Sequence, residues 1–465
     1  MTNWTPDLSH RAGPRYVAIA DALAADVSAG RFKPGDRLPT HRDLAWRLGV
    51  TIGTVSRAYA EAERRGLVAG EVGRGTYVRA AVNAVDQMMP VEPPGEAGLI
   101  DFTFAFPPAG GADAELGPAL RALADDPGNA VLLDYQPNAG RRGHRAAGAA
   151  WLAGGGLEVA PERIVVTAGA QHGVLAALAT LTRPGDRIVT EAVTYPGIKL
   201  VARMLGLRME GLAMDEHGLL PDALEAACKT NDVKALYCIP TLQNPTTAML
   251  PEDRRRAIAE IAARYRLAIV EDDIMRRLTD DRTTPIAALA PDLTTYVTSL
   301  SKTVAPGLRM GFAVGPEGAT ERLAAAVRTT CWMTTPLTAE IGARWIRDGT
   351  AARIRDARRR EALGRRQLAL DVLGGWDVVS APGSLHLWLH LPEPWRANDF
   401  TAEARERGAA ISPAEVFAVG RRDLPHAVRV CFCAPPDRDS LEQGLRALDD
   451  LLKDGPSQAL GAAVV

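Results

Sequence analysis

Hydrophobic positions recur along this chain with two periods, and the change falls near residue 100. Before it the spacing is helical. In "PRYVAIADALAADVSAG" the residues Tyr16, Ile19, Ala20, Leu23 and Val27 line one stripe that ends at Gly30, which predicts a helix with one buried face. "KPGDRLPT" reads as a turn. "HRDLAWRLGVTIGTVSRAYAEAERRGLV" holds two further helical stretches around Gly49. The first turns Leu44, Ala45 and Leu48 inward. Thr51 stands as N-cap of the second, which buries Val55, Ala58, Tyr59 and Ala62 and stops at Gly66. Leu67-Val68, "EVGRG" and "TYV" follow as a short hairpin with Arg74 at its tip.

Residues 81–99 have no sustained period and contain Pro90, Pro93, Pro94 and Gly95, as a semi-rigid tether does. From about residue 100 short apolar runs alternate with helical ones. "RIVVTAGA" leads into "QHGVLAALATL", and "DRIVT", "KALYCIP", "LAIVEDD", "TTYVTSLS" and "MGFAVGP" are further buried strands, some separated by helices such as "PEDRRRAIAEIAARYR". That alternation predicts an α/β domain with a mainly parallel sheet.

A chain of 465 residues exceeds one ordinary core. Its apolar share of 47% and charged share of 24% are those of a soluble globular protein. No stretch approaches the roughly 20 apolar residues of a membrane span, and the N-terminus has no apolar signal core. Five cysteines, Cys228, Cys238, Cys331, Cys431 and Cys433, show no metal-ligand spacing. They point to a reduced, cytoplasmic protein without a metal site, with Cys431 and Cys433 on one face of a strand. Residues 1–80 hold 12 basic and 8 acidic side chains against 42 and 48 in the remainder. The net +4 of the first part suits a nucleic-acid module on an acidic body.

Helix, short turn, helix and then a hairpin is the winged helix-turn-helix order. With "PGDRLPT" ahead of the helix pair and Gly-Arg-Gly-Thr in the hairpin, residues 10–80 resemble the winged helix-turn-helix domain of the GntR family of bacterial regulators. The resemblance implies that Arg42, Thr51, Gly53, Thr54, Ser56 and Arg57 face the major groove of double-stranded DNA, with Arg74 near the minor groove or backbone. Ile52 departs from the polar or basic residue usual there. It either meets a thymine methyl or packs internally.

Ligands of parallel sheets sit at the carboxyl ends of the strands. There the chain places Gly169-Ala170-Gln171, Tyr195, Asn244-Pro245, Glu271-Asp272-Asp273 and Ser299-Leu300-Ser301-Lys302. The set suits pyridoxal phosphate. Its aldehyde takes a lysine amine, its pyridine nitrogen a carboxylate, and its ring face a flat side chain. Its phosphate takes a glycine turn at a helix N-terminus, with hydroxyls and an arginine. Only six of the 54 basic residues are lysines, and Lys302 is the one framed by Ser299, Ser301, Pro306-Gly307 and Arg309. Lys199, Lys229, Lys234 and Lys453 read as surface charges.

Residues 100–456 resemble the fold-type-I aminotransferases, with a smaller α+β subdomain from about residue 340. By that resemblance Lys302 is the Schiff-base lysine, Asp272 pairs with the pyridine nitrogen, and Asn244 in "QNPTT" bonds the ring hydroxyl. Ala170 and Gln171, with backbone and side-chain donors, take the phosphate together with Ser299, Ser301 and Arg309. Tyr195 in "TYPG" stacks on the ring, Tyr135 in "YQPNAG" reaches the partner's phosphate, and Arg429 in "AVRVCF" grips a substrate carboxylate. His386 in "GSLHLWLHLP" reads as structural. In this family a tyrosine usually follows the aspartate by two or three positions and donates to the ring hydroxyl. "EDDIMRRL" has Ile274 and Met275 there instead, so cofactor binding is better founded than turnover, and residual or no transaminase activity is expected.

Together the halves resemble the MocR-type subfamily of GntR regulators, a winged helix fused across a linker (81–99) to an aminotransferase-like domain. That resemblance implies a pyridoxal-phosphate-dependent transcription regulator. It would bind operator DNA, sense an amine, an amino acid or the cofactor itself, and form a domain-swapped homodimer. The rival class is an active aminotransferase that carries a DNA-binding module.

Overall fold

The computed structural model describes residues 4–8, 14–28, 31–32, 36–64, 67–71, 75–78, 98–108, 110–230, 232–420 and 424–456. Arg74, the expected wing tip, lies outside them, as do Gly30, Gly66 and most of the 81–99 segment. The chain divides into two compact units, Met1–Met89 and Pro90–Val465.

In the first unit α1 (Arg15–Ser28), α2 (His41–Leu48) and α3 (Ile52–Arg64) pack around Ile19, Leu23, Leu44, Val55, Ala58 and Tyr59. The Thr40 hydroxyl starts α2 by accepting from the Asp43 N–H at 3.2 Å. Gly49 ends it with φ 63°, a left-handed backbone that favours glycine. Thr51 then caps α3, its Oγ1 accepting from the Thr54 N–H at 3.1 Å. The Tyr59 hydroxyl donates to the Pro39 carbonyl at 2.8 Å and ties α3 to the turn before α2. The strands β1 (Val68–Glu71) and β2 (Gly75–Val78) pair antiparallel behind the helices in the sequence.

The second unit is built on a seven-stranded sheet. Its order is Ile164–Thr167, Gly311–Val314, Thr294–Ser299, Ala268–Asp272, Val233–Cys238, Arg187–Glu191, Arg208–Leu212. The last five run parallel, and Gly311–Val314 is antiparallel to both neighbours. Helices cover both faces, so the strands are apolar on both sides. Val174, Leu178 and Val201 pack on Tyr237, Val270 and Val297. Ile258 and Ile261 pack on Leu236 and Ile269.

A smaller antiparallel sheet follows, Val378–Val379, Leu387–His390, Ala427–Val430 and Ser412–Pro413. Leu441, Leu445 and Leu448 of the helix Arg438–Asp454 share its core with Phe400 and Phe432. β3 (Ile100–Asp101) pairs with Ala409–Ala410, so the segment after the linker joins this C-terminal part. Cys431 and Cys433 are buried, but the strand stops at Val430. Both sit in the turn beyond it rather than on a strand face.

Arg255, fully buried on the helix Glu252–Tyr265, braces the strand Ala268–Asp272 from behind. Its guanidinium donates to the carbonyls of Leu250 (2.8 Å) and Pro240 (2.9 Å). It also lies 4.0 Å from Glu271 and 3.5 Å from Asp281. Removing one member of a buried ionic cluster strands the others. Arg255→Met should therefore lower stability by about 3–5 kcal/mol, read as a shifted urea midpoint. A shift under about 1 kcal/mol would show that the carboxylates do not depend on it.

Candidate functional site

Three acidic residues end the strand Ala268–Asp272 and its continuation, and strand alternation sorts them. Glu271 faces back, its oxygens accepting from the N–H groups of Ile286 (3.0 Å) and Ala287 (2.7 Å). Asp273 faces the same way, 3.5 Å from Arg276. Asp272 alone continues the face of Tyr237 and Val270. Its Oδ2 accepts from the Tyr237 hydroxyl at 2.7 Å, while its Oδ1 is buried with no hydrogen-bond partner. Burial lifts its pKa from 3.8 to about 7, against the pull of the Tyr237 bond. A buried carboxylate oxygen left open is costly. It fits a ligand that brings a positively charged N–H.

Lys302 follows the strand Thr294–Ser299. Its Nζ donates to the Ala105 carbonyl at 2.6 Å. Burial lowers its pKa from 10.5 to about 8, and the charges of Arg429 and Arg309 push the same way. An amine so tuned is partly neutral near physiological pH, the form that attacks a carbonyl. Arg429, on the small sheet, donates from Nη1 to Asn244 Oδ1 at 2.8 Å and from Nη2 to the Thr103 carbonyl. Its guanidinium lies 4.6 Å from the Phe417 ring centre, and its Nε is buried without a partner. Because Asn244 spends its oxygen on Arg429, its NH₂ is left to donate. The Tyr195 ring folds over Gly197, where a Cβ would come within 2.3 Å of it. Burial and the charge of Asp272 raise the Tyr195 phenol pKa.

The anion end is built on Gly169. With φ 87° it turns the chain from the strand Ile164–Thr167 into the helix Ala170–Leu181, whose first amides, on Ala170 and Gln171, have no intrahelical acceptor. Arg309 lies against this turn and donates to the Ala168 carbonyl at 3.0 Å. A Cβ on Gly169 would stand 2.6 Å from that guanidinium. Ser299 is buried, with Oγ 3.4 Å from the Ser301 N–H.

Some placements differ from expectation. The Gln171 side chain donates to the Gly197 carbonyl at 3.0 Å, so its backbone, not its amide group, is available to an anion. Tyr135, expected at a partner's phosphate, is 82% exposed and packs on Trp332, ring centres 5.6 Å apart. Lys199 is not a free surface charge. It donates to the Val416 carbonyl at 2.7 Å, and burial lowers its pKa to about 8. His386 is 1% exposed, with neither ring nitrogen in hydrogen-bond geometry, and burial keeps it neutral at about 3. Nothing in the residue pattern marks Tyr237 as the partner of Asp272, nor the carbonyls of Thr103 and Ala105. Met275 is buried and Ile274 packs with it against the small-subdomain core, so neither place holds a donor.

On the first unit, Arg42, Gly53 and Arg57 are exposed. Thr51 and Thr54 share a hydroxyl–hydroxyl bond of 2.9 Å, and Ser56 Oγ lies 3.3 Å from His41. Arg57 lies over the Tyr16 ring at 4.4 Å. Ile52 is 48% exposed and so does not pack internally.

Residues 15–78 match the model of the bacterial regulatory proteins of the gntR family, and residues 118–448 that of aminotransferase class I and II. The uncharacterized HTH-type transcriptional regulator YdeF of Bacillus subtilis is 32% identical over 97% of each chain. This chain belongs to the MocR-type GntR regulators. The pyridoxine biosynthesis transcriptional regulator PdxR of Corynebacterium glutamicum is 29% identical over 81% of this chain and 83% of its own. Among solved structures, the α-aminoadipate aminotransferase LysN of Thermus thermophilus, complexed with N-(5'-phosphopyridoxyl)-L-leucine, superposes with TM-score 0.70. It is 25% identical over 85% of this chain and 98% of LysN. A DNA-binding domain thus precedes an aminotransferase fold, and the open Asp272 oxygen, Lys302 and the Gly169 turn fit pyridoxal phosphate.

A carboxyl whose folded pKa lies above its unfolded one stabilises the fold while protonated, and that share is lost as pH rises through the folded value. For Asp272 the window runs from 3.8 to about 7. Without ligand, Asp272→Asn should gain stability relative to the parent as pH rises across that window, by ~2–4 kcal/mol, and level off above it. Denaturation at a series of pH values reads the difference. A pH-independent difference would mean that Asp272 is already ionised and paired.

Proposed function

We propose that this protein is a transcription regulator that binds operator DNA through α3 and holds pyridoxal phosphate at Lys302 to sense a small amine or amino acid. Asp272 is the observation that carries the reading, a buried carboxylate with one oxygen open on the face that Lys302 also serves. When bound, pyridoxal phosphate supplies an aldehyde and an electron-withdrawing ring. Asp272 would hold the ring nitrogen in its protonated form, Asn244 donate to the ring hydroxyl, and Tyr195 cover one ring face. The amides of Ala170 and Gln171, with Ser299, Ser301 and Arg309, would take the phosphate. Lys302 offers the amine, and Arg429 the cation for a ligand carboxylate. With Ile274 and Met275 in the core, the ring hydroxyl has Asn244 as its one expected donor, which favours a sensor over a transaminase.

On the DNA side, exposed Arg42 and the exposed face of α3 (Ile52, Gly53 and Arg57) suit a major-groove contact. No helix among the described residues is long and apolar enough to cross a membrane, and a protein that works on operator DNA would act in the cytoplasm. Two measurements test the reading. The aldimine absorbance band, read after unbound pyridoxal phosphate is removed, should be present in the parent and absent in Lys302→Ala. Binding to DNA from the protein's own promoter region should weaken with salt and fall about tenfold or more in Arg42→Ala. Absorbance that survives Lys302→Ala, or promoter DNA ignored by the full chain, defeats it.

The partner we infer is a second copy of this chain, in a domain-swapped homodimer. Leu133 is 89% exposed, two residues before Tyr135, which is itself exposed and packs on the exposed Trp332, and such exposed apolar residues are unusual for a solvent face. Leu133→Asp should shift the sedimentation coefficient from dimer to monomer. A dimer unmoved by Leu133→Asp would place the interface elsewhere.

A further inference from the structure

The helix Ala170–Leu181 begins without a side-chain cap, because its N-cap is Gly169. A serine, threonine or aspartate there would accept from the N–H of the second or third helical residue. It would also fill the place where an anion docks on the helix end. The helix start is held from behind instead. His172, its third residue, reaches back, and Nδ1 accepts from the Ala168 N–H at 3.0 Å. This resembles the returning half of a capping box, in which the third helical side chain accepts from a backbone N–H at the helix start. The outgoing half, from the N-cap side chain, is absent.

The tautomer of His172 follows from its partners. A backbone N–H can only donate, so Nδ1 carries no hydrogen. Thr330, in the last turn of the helix Thr320–Cys331, points its hydroxyl at the carbonyls of Ala326 (2.9 Å) and Val327 (3.1 Å). Its one hydrogen is committed there. Thr330 Oγ1 therefore accepts from Nε2, 2.7 Å away, and the ring proton lies on Nε2. Burial lowers the His172 pKa and so favours this neutral ring. Ala168 is thus held on both sides, its N–H by His172 and its carbonyl by Arg309 Nη2 at 3.0 Å.

We propose that His172 is a positioning residue for the phosphate end of the site. Both ring nitrogens are committed to protein groups, so it acts through the turn. It fixes the residue before Gly169, and the amides of Ala170 and Gln171 and the guanidinium of Arg309 then converge on one anion.

The inference rests on the cofactor reading above. Glycine at φ 87° is the least restrained residue a turn can have, and a turn ordered before binding holds its ligand more tightly than one ordered by it. The effect is confined to the phosphate. Asp272 ends the strand Ala268–Asp272 and Lys302 follows the strand Thr294–Ser299, so the groups for the ring nitrogen and the aldehyde are placed by other elements.

Titration of the full chain with two ligands tests this. One is pyridoxal phosphate. The other is pyridoxal, the same ring and aldehyde without the phosphate. The aldimine band is read by difference against free ligand. His172→Ala should weaken pyridoxal phosphate about fivefold, as loss of one net hydrogen bond does, and leave pyridoxal as tight as in the parent. His172→Gln, with an amide oxygen that accepts from the Ala168 N–H, should restore binding. His172→Phe, which keeps a ring and accepts nothing, takes the place of the alanine variant if that one does not fold. Equal weakening of both ligands makes His172 merely structural and overturns the proposal. So does unchanged binding of pyridoxal phosphate, or a glutamine variant as weak as the alanine one. Each of these leaves the cofactor reading standing. No aldimine band in the parent overturns both.

Discussion

Three acidic side chains stand in succession at the end of a strand buried on both faces, and they cannot share one environment. The two-residue period of the strand sends Glu271 and Asp273 back toward Arg255 and Arg276 and leaves Asp272 on the opposite face. There the Tyr237 hydroxyl satisfies one oxygen and nothing satisfies the other. The rest of the site is arranged around that imbalance. The Gly169 turn, the Tyr195 ring over Gly197 and the Lys302 amine all follow carboxyl ends of strands of the same sheet. A parallel sheet brings strand ends together in this way whatever their distance in sequence.

Much of this was legible in the residues. The frame of serines, Pro-Gly turn and Arg309 around Lys302 marked it among six lysines, because phosphate cradles need those residue types at short range. The helix-turn-helix was legible from apolar spacing and from Thr51 and Gly49, whose roles are local. Contributions that come from the main chain were not legible. The carbonyls of Thr103 and Ala105 carry no side-chain signature, and their places depend on β3 pairing with residues some 300 positions away. Tyr237 looked like one more apolar strand residue until the register set it beside Asp272. Lys199 looked like a surface charge because burial of a long side chain depends on what packs over it, here the segment around Val416.

The place of the missing tyrosine shows the same contrast from the other side. Ile274 and Met275 were visible as departures, but their destination was not. They pack with Leu242, Leu278 and Leu385 where the large sheet meets the small one. What would have been a polar contact to a ligand is part of the joint between two subdomains. Apolar packing there does not weaken as ligands exchange, which suits a site that must keep its shape through occupancy changes.

The bond between Arg429 and Asn244 carries a wider consequence. Asn244 spends its carbonyl oxygen on Arg429, the group proposed to grip a carboxylate, and has its amide hydrogens left for the ring of the proposed cofactor. One side chain thus belongs to two binding events. Linkage requires that whatever the first ligand does to the affinity of the second, the second does in equal measure to the first. On the proposed reading, effector and cofactor would bind interdependently through Asn244, and the two concentrations would be read as one combined signal.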